Sequence, residues 1–340
     1  MKSPTRTPTL EDVAKVAGVS RATVSRVVNG QASVDESLKR KVLAAVEKTG
    51  YRPNNAARQL AGRRTGTIAL VLSGSDGSAE EVLSDPFFGR ITGGVVKHLR
   101  TKGNHPTLFL ADSEAARLEA VDHVRRGSSD GALLVSTHAD DILPGLFVEA
   151  GLPAVLFARP ALHAPISYVD LAHEVGAALA ADRLISRGRR KVVTIAGPTD
   201  VPAAQDRLTG FRQAMARHGQ PHIPVAYGNF TQDSGEAAML HLLTQVPDLD
   251  GVFAANDLMA AGALRALRDA GRTVPDQVAV IGFDNSTPAR AAVPPLTTIA
   301  QPLEEMAAEM SRLLLAQIDT PGQGPQCTIF DPHLVERASA

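Results

Sequence analysis

Cysteine, tryptophan and long apolar runs are what this 340-residue chain lacks. Its single cysteine, Cys327, excludes an internal disulfide, and no CxxC or clustered Cys/His spacing suggests a zinc site. With no tryptophan, any aromatic stacking falls to 10 phenylalanines and 3 tyrosines. No stretch approaches the roughly 18 consecutive apolar residues that a membrane span needs. The opening MKSPTRTPT is too polar for a signal-peptide core, so a cytoplasmic protein is expected. Also missing are GxGxxG, the P-loop, HExxH and the GxSxG nucleophile elbow. His218 and His222 have helical spacing, but Gly219 and Pro221 between them break any helix. Catalysis has no motif to rest on, and neither a metal nor a cofactor is expected.

What is present is an ordinary globular composition, 44% hydrophobic and 21% charged, in a chain long enough for two or three domains. The formal net charge of −1 hides a division. Residues 1–64 carry 13 Lys and Arg against 5 Asp and Glu, a surplus of eight, and the rest of the chain carries a deficit of nine. A basic head on an acidic body points to a polyanion partner for the head alone.

The head reads as three short helices. Thr9 caps the first, whose apolar positions are Leu10, Val13, Ala14 and Ala17, with Asp12 placed for a capping box. Gly18-Val19 interrupts it. Ser20 caps a second helix carrying Val24, Val27 and Val28, which ends at Asn29-Gly30. A third follows Asp35, with Leu38, Val42, Ala45 and Val46 as its stripe and Gly50 beyond its end. The tight turn between the first two makes this a helix-turn-helix unit of about 45 residues. After Pro53-Asn54, residues 55–61 (NAARQLA) form a short helix without a broad apolar face, marginal alone, and 62–66 is a linker.

From Thr67 short β-rich runs alternate with helical patterns. Strands are predicted at 67–73, 107–112, 131–136, 153–158 and 166–170, then at 191–196, 225–230, 251–255 and 278–283. Such alternation, with strands of fully buried type, argues for doubly wound parallel sheets, and two consecutive sets imply two lobes. The predicted division is 67–168 with 298–320 in the first lobe and 170–296 with 324–338 in the second.

TLEDVAKVAGVSRATVSRVVNG followed by GYRPNNAARQLAG resembles the DNA-binding head of the LacI/GalR family of bacterial transcription repressors. The body continues the likeness in order: DPFFGRITGGV, DGALLVS, DRLTGF, FAANDLMAAGAL, VAVIGFD, PPLTTIAQP and PHLVERAS. The resemblance covers nearly the whole chain. It implies an all-α head (1–52), a hinge helix and linker (53–66), and a two-lobed body resembling a periplasmic binding protein (67–340). The implied protein is a homodimer that binds a pseudo-palindromic double-stranded operator and answers to a small molecule. SYVD, DRLTGF and YGNFTQDSG are most similar to actinobacterial regulators of oligosaccharide use, cellobiose-responsive ones among them, so a sugar effector and release on its binding are expected. No leucine-rich tail follows that would favour a tetramer.

A recognition helix meets base edges with its N-terminal residues. Arg21 and Arg26 can each pair with a guanine, and Ala22 offers a methyl-sized contact. Ser20, Thr23, Ser25 and Asn29 suit phosphate contacts that set register. In the segment resembling the family's hinge helix, Asn54 and Arg58 join the DNA-binding set. Leu60 matches the leucine that wedges into the minor groove at a central CpG step.

In the body, ligands of doubly wound sheets lie at the carboxyl ends of the strands. Asp85, Phe88, Arg207, Asn256, Asp257, Asp284 and Gln301 fall there, and the resemblance implies effector contacts for the last five. The family's Asp-Asn pair before the helix opening the second lobe is here Ala172-His173, which makes His173 the substitute. Stacking would come from Phe87, Phe88, Phe157, Tyr168, Phe230 or Phe283. Two other readings compete: an enzyme, which would turn over the sugar it binds, and a solute-binding protein, which would show no operator preference.

Overall fold

The computed structural model describes residues 8–28, 35–51, 64–73, 85–161 and 164–340. The chain falls into two compact units, Met1–Thr65 and Gly66–Ala340.

The first unit contains α1 (Leu10–Ala17), α2 (Arg21–Val28) and α3 (Glu36–Thr49). The capping box at its start is complete: Asp12 N donates to Thr9 Oγ1, and Thr9 N donates to Asp12 Oδ2 at 2.8 Å. Gly18 ends α1 with φ +66°, a conformation that costs glycine little. Ser20 Oγ accepts from Thr23 N at 3.1 Å and opens α2. Val13, Val24, Val27, Val42, Ala45 and Tyr51 make the core. Six residues are a small core, so caps and turn residues matter more here than in the body.

The second unit holds two six-stranded sheets. In the first lobe they are β1 (Thr67–Ser73), β2 (His105–Leu110), β3 (Ala132–Ser136), β4 (Ala154–Phe157), β5 (Ser167–Leu171) and β11 (Cys327–Phe330), ordered β11-β5-β4-β3-β1-β2. The second sheet contains β6 (Val192–Ala196), β7 (Val225–Tyr227), β8 (Gly251–Ala254), β9 (Ala279–Asp284), β10 (Thr297–Ala300) and β12 (His333–Val335), ordered β12-β10-β9-β8-β6-β7. All pairs are parallel except β10 with β12. In β1 the side chains alternate between two apolar clusters, Ile68, Leu70 and Leu72 into one and Ala69 and Val71 into the other. Burial on both faces explains the unbroken hydrophobic strands, since each sheet is covered by helices on both sides.

Around these sheets lie α4 (Pro86–Thr101), α5 (Glu114–Arg125), α6 (Leu143–Glu149), α7 (His173–Ser186), α8 (Pro202–Arg217), α9 (Gln232–Gln245), α10 (Asp257–Asp269), α11 (Thr287–Ala291) and α12 (Leu303–Asp319). Small residues set their closest approaches. A Cβ at Gly235 would stand 2.3 Å from Met259 O, and one at Gly262 would stand 2.0 Å from Gln232 O, so α9 and α10 touch backbone to backbone.

Two expected lobe assignments are corrected. Residues 298–300, expected in the first lobe, pair with β9 of the second (Thr298 with Gly282). Residues 327–330, expected in the second, pair with β5 of the first (Cys327 with Tyr168). The chain therefore crosses between lobes three times, at Ala172, at Gln301-Pro302 and at Asp331-Pro332, where local propensity carries no lobe address. One apolar cluster spans the crossings, from Leu70 and Leu133 through Met306 and Met310 to Phe253 and Phe283.

Candidate functional site

On the head, α2 turns Val24 and Val27 inward, which leaves Arg21, Ala22 and Arg26 exposed and Thr23 and Ser25 half-buried. Arg21 lies 3.8 Å from Glu11, both well exposed. A solvated pair of that kind holds little energy and yields readily to another partner. Ser20, besides capping the helix, meets Thr23 Oγ1 at 2.9 Å. Asn29, Asn54, Arg58 and Leu60 lie outside the described residues.

Between the lobes of the body lies a cavity of about 1350 Å³, at the carboxyl ends of the strands. Its wall contains Asp85, Phe88, His173, Arg207, Asn256, Asp284 and Gln301. Backbone strain gathers at the same place. Among the described residues, four non-glycines take φ between +52° and +101°, and three of them, Ala158, Phe230 and Asp284, are on this wall. Strain of this kind persists where the surroundings over-determine it, commonly at binding sites.

Arg207 is the hub. Its side chain is buried to 6% exposure, yet four partners surround it. Nε donates to His173 Nδ1 (3.3 Å), Nη1 to Ala255 O (2.5 Å) and Nη2 to Gln301 Oε1 (3.3 Å), while Asp284 Oδ1 lies 3.5 Å from Nη1. Below it, the Phe283 ring centroid is 3.9 Å from the guanidinium carbon, a cation–π contact. A guanidinium has five N–H donors: three are hydrogen-bonded, a fourth faces Asp284, and one on Nη2 is left over among the described residues. Burial pushes Arg207 down, opposed by Asp284, Asp257, Asp170 and Asp206, and it stays cationic.

The facing carboxylates complement this donor. Burial raises the Asp284 carboxyl, Asp257 and Asp85 add to the rise, and Arg207 opposes it. Its Oδ1 is buried and makes no hydrogen bond, with Arg207 Nη1 facing it at 3.5 Å. Asp85 caps α4 by accepting from Phe87 N at 2.9 Å, and burial raises it too. Asn256 caps α10 through Met259 N (2.8 Å) and donates to Phe230 O (2.9 Å), fixing that aromatic on the wall. The ring of Phe230 fits because position 197 is glycine, where a Cβ would stand 2.6 Å from it.

Asp257 is a correction. It does not reach the wall, because both its oxygens are used inside the second lobe. Oδ1 accepts from Thr298 Oγ1 (2.6 Å), and Oδ2 accepts from Ser286 N (2.7 Å) and Oγ (2.8 Å). It braces α10, the β9–α11 turn and β10. Among the aromatics, Phe87, Phe88, Phe157 and Phe230 line the cavity. Phe283 is buried beneath Arg207, and Tyr168 packs against the apolar cluster on the outer face of the first sheet.

Sequence reasoning missed the bridges between lobes. His138 Nδ1 meets Asp200 Oδ2 at 2.6 Å, Ala139 N donates to Asp200 O at 2.9 Å, and Arg159 pairs with Asp206. Arg90 of α4 donates to Asp284 O (2.8 Å) and Gln301 O (3.3 Å) while holding Glu304 at 2.8 Å. These pairs lie 47 to 214 positions apart in sequence. The motifs DPFFGR, DRLTGF, VAVIGFD and PPLTTIAQP contain Arg90, Asp206, Asp284 and Gln301, but nothing in them names the partner across the cleft. Among the described residues no cluster is placed to hold a metal ion, and no helix is long and apolar enough to cross a membrane.

Comparison with known proteins agrees along the chain. Residues 9–54 match the model of bacterial regulatory proteins of the lacI family, and 181–340 match that of a periplasmic binding protein-like domain. The HTH-type transcriptional regulator CelR of Thermobifida fusca is 44% identical, over 98% of each chain. The solved structure of a transcriptional regulator CelR–cellobiose complex is 42% identical, with a TM-score of 0.76 and coverage of 98% of this chain and 100% of that one. The lac repressor dimer bound to operator and the anti-inducer ONPF is 26% identical, with a TM-score of 0.86 over 98% of this chain and 99% of that one. With a helix-turn-helix head, a two-lobed sensor body and relatives that are regulators rather than enzymes, the chain belongs to the LacI family and is a DNA-binding transcriptional repressor.

Proposed function

We propose that this repressor acts as a cytoplasmic homodimer and leaves a pseudo-palindromic operator when an uncharged oligosaccharide, cellobiose or a near analogue, fills the cleft. The observation that carries the reading is the cleft's inner end. There a buried arginine with one donor to spare faces a carboxyl oxygen that makes no hydrogen bond, in a cavity lined by four phenylalanines. Donor and acceptor side by side suit vicinal hydroxyls, and aromatic rings cover the C–H faces of a pyranose.

Size and charge narrow the ligand. Ligand pockets commonly measure about 300–1,000 Å³, and this cavity exceeds them, which favours more than one sugar ring. Six carboxylates against two guanidiniums line it, which disfavours phosphorylated or acidic sugars. The likeness to CelR, and to a CelR–cellobiose complex, supports the same class. Asp85, Asn256, Asp284, Gln301 and Arg207 are the proposed polar contacts, with Phe88 and Phe230 as platforms.

On DNA, Arg21 and Arg26 would read guanines, Ala22 a thymine methyl, and Ser20, Thr23, Ser25 and Asn29 the phosphates. Asn54, Arg58 and Leu60 would engage the minor groove, Leu60 as a wedge that bends the duplex. Effector occupancy shifts the balance of lobe arrangements toward one that binds operator more weakly. Moving that balance from 1:99 to 99:1 takes about 10⁴-fold differential affinity.

The test is fluorescence anisotropy of labelled operator and random duplexes, with and without cellobiose, beside a thermal-shift screen of mono-, di- and phosphorylated saccharides. The expected result is operator-selective binding released by a neutral disaccharide. Equal grip on both duplexes, or release only by a phosphorylated sugar, contradicts the proposal.

A further inference from the structure

We infer that His173 is a positioning residue for Arg207 and offers the effector no hydrogen bond of its own, because both ring nitrogens are committed within the protein. The inference rests on the reading of Arg207 as an effector contact. Arg207 Nε is a permanent donor, so the Nδ1 it meets at 3.3 Å carries the lone pair. The neutral ring then holds its proton on Nε2, which faces Asp170 Oδ1 at 3.5 Å. The three side chains come from three elements: Asp170 from β5 of the first lobe, His173 from the first turn of α7, and Arg207 from α8. They form a line across the crossing at Ala172, ending at Arg207 on the cavity wall. His173 is only 4% exposed, and the Phe283 ring at 6.0 Å closes its other side.

The arrangement depends on a neutral ring. Burial pushes the imidazole down, Asp170 pulls it up, Arg207 pushes it further down and Asp206 opposes. The other titratable group here is Asp284, on the far side of Arg207, whose carboxyl burial pushes up to about 8. Protonation places N–H against N–H at the Arg207 contact and sets two cations side by side. The guanidinium then loses its alignment. The imidazole's contribution to effector affinity is therefore full above its lowered pKa and falls as pH drops through it, by at most about tenfold per pH unit.

The test uses the full chain. In an effector-free sample, ¹⁵N shifts of the His173 imidazole are expected to show protonated Nε2 and bare Nδ1, with titration below that of a free histidine. Protonated Nδ1 at neutral pH overturns the inference, whatever sugar the cleft takes. Cellobiose affinity is then measured from pH 5 to 8 for wild type, His173→Asn and His173→Leu. Asparagine places an oxygen where Nδ1 stood, so it should bind within about threefold of wild type and lack the share of acid weakening due to the imidazole. Leucine has no acceptor and should bind about 10- to 100-fold more weakly, the range for a hydrogen bond to a charged group. Wild-type affinity in His173→Leu, or wild-type acid weakening in His173→Asn, overturns the inference. Failure of wild type to bind cellobiose counts against the proposed effector alone, since the ring's tautomer is read without it.

Discussion

The head and the cleft both depend on arginine, and they use it in opposite ways. Arg21 and Arg26 stand in water on one face of α2, above a core of six residues. Arg207 is buried, with four hydrogen-bonding or ionic partners and an aromatic ring beneath it. An exposed guanidinium keeps its rotamer freedom and gives it up when it meets a partner, which suits a large, deformable polyanion reached through many weak contacts. A buried one has its geometry settled during folding, so a small ligand meets a finished site and loses less on binding. Adaptability belongs to the surface that reads DNA, and preorganisation to the cleft.

Substitutions can break or sharpen that contrast, and the largest effect should come from the hub. Arg207→Ala removes the cation facing the buried Asp284 carboxyl and strips donors from Ala255, Gln301 and His173. Calorimetry should show at least a 100-fold loss of sugar affinity, and an effect below tenfold would mean that Arg207 is not a contact. Asp257→Ala should destabilise the body by about 1–3 kcal/mol in urea unfolding, the usual penalty for a buried donor left unpaired. It should weaken sugar binding less than Arg207→Ala, because Asp257 braces the wall without reaching it.

Arg26→Ala should cost about 1–3 kcal/mol at one symmetric operator position, read by selection and sequencing of bound duplexes. A loss spread evenly over all sequences would move Arg26 to the phosphates. The smallest effect belongs to the clasp at the cavity. Asp200→Ala removes an exposed partner of His138, and a double-mutant cycle with His138→Ala should give about 0.2–1 kcal/mol. A coupling above 2 kcal/mol would make that clasp a principal restraint on lobe movement.

Much of this architecture was legible in the chain. The alternation from Thr67 onward marks parallel strands because each is buried on both faces. Thr9, Ser20 and Asp35 announced the head's helices because capping is local chemistry. What failed was what depends on distant partners. Asp257 stands in the same kind of position as Asp284, at the carboxyl ends of strands. Only the placement of Ser286 and Thr298 tells that one is spent on structure and the other left open. The histidine at 173 drew notice as a departure from a pattern, whereas its partnership with Asp170 and Arg207 required the crossing to be folded. Strands 297–300 and 327–330 carry ordinary β composition, and nothing in them names the sheet they join.

The two strands nearest the C-terminus have a genetic corollary. β11 and β12 are separated by only Asp331 and Pro332 yet close the edges of different sheets. A premature stop codon a few positions upstream would strip a border strand from both halves of the sensor together. Neither half exists as one uninterrupted stretch of coding sequence, so they can be inherited, shuffled or expressed only as a unit.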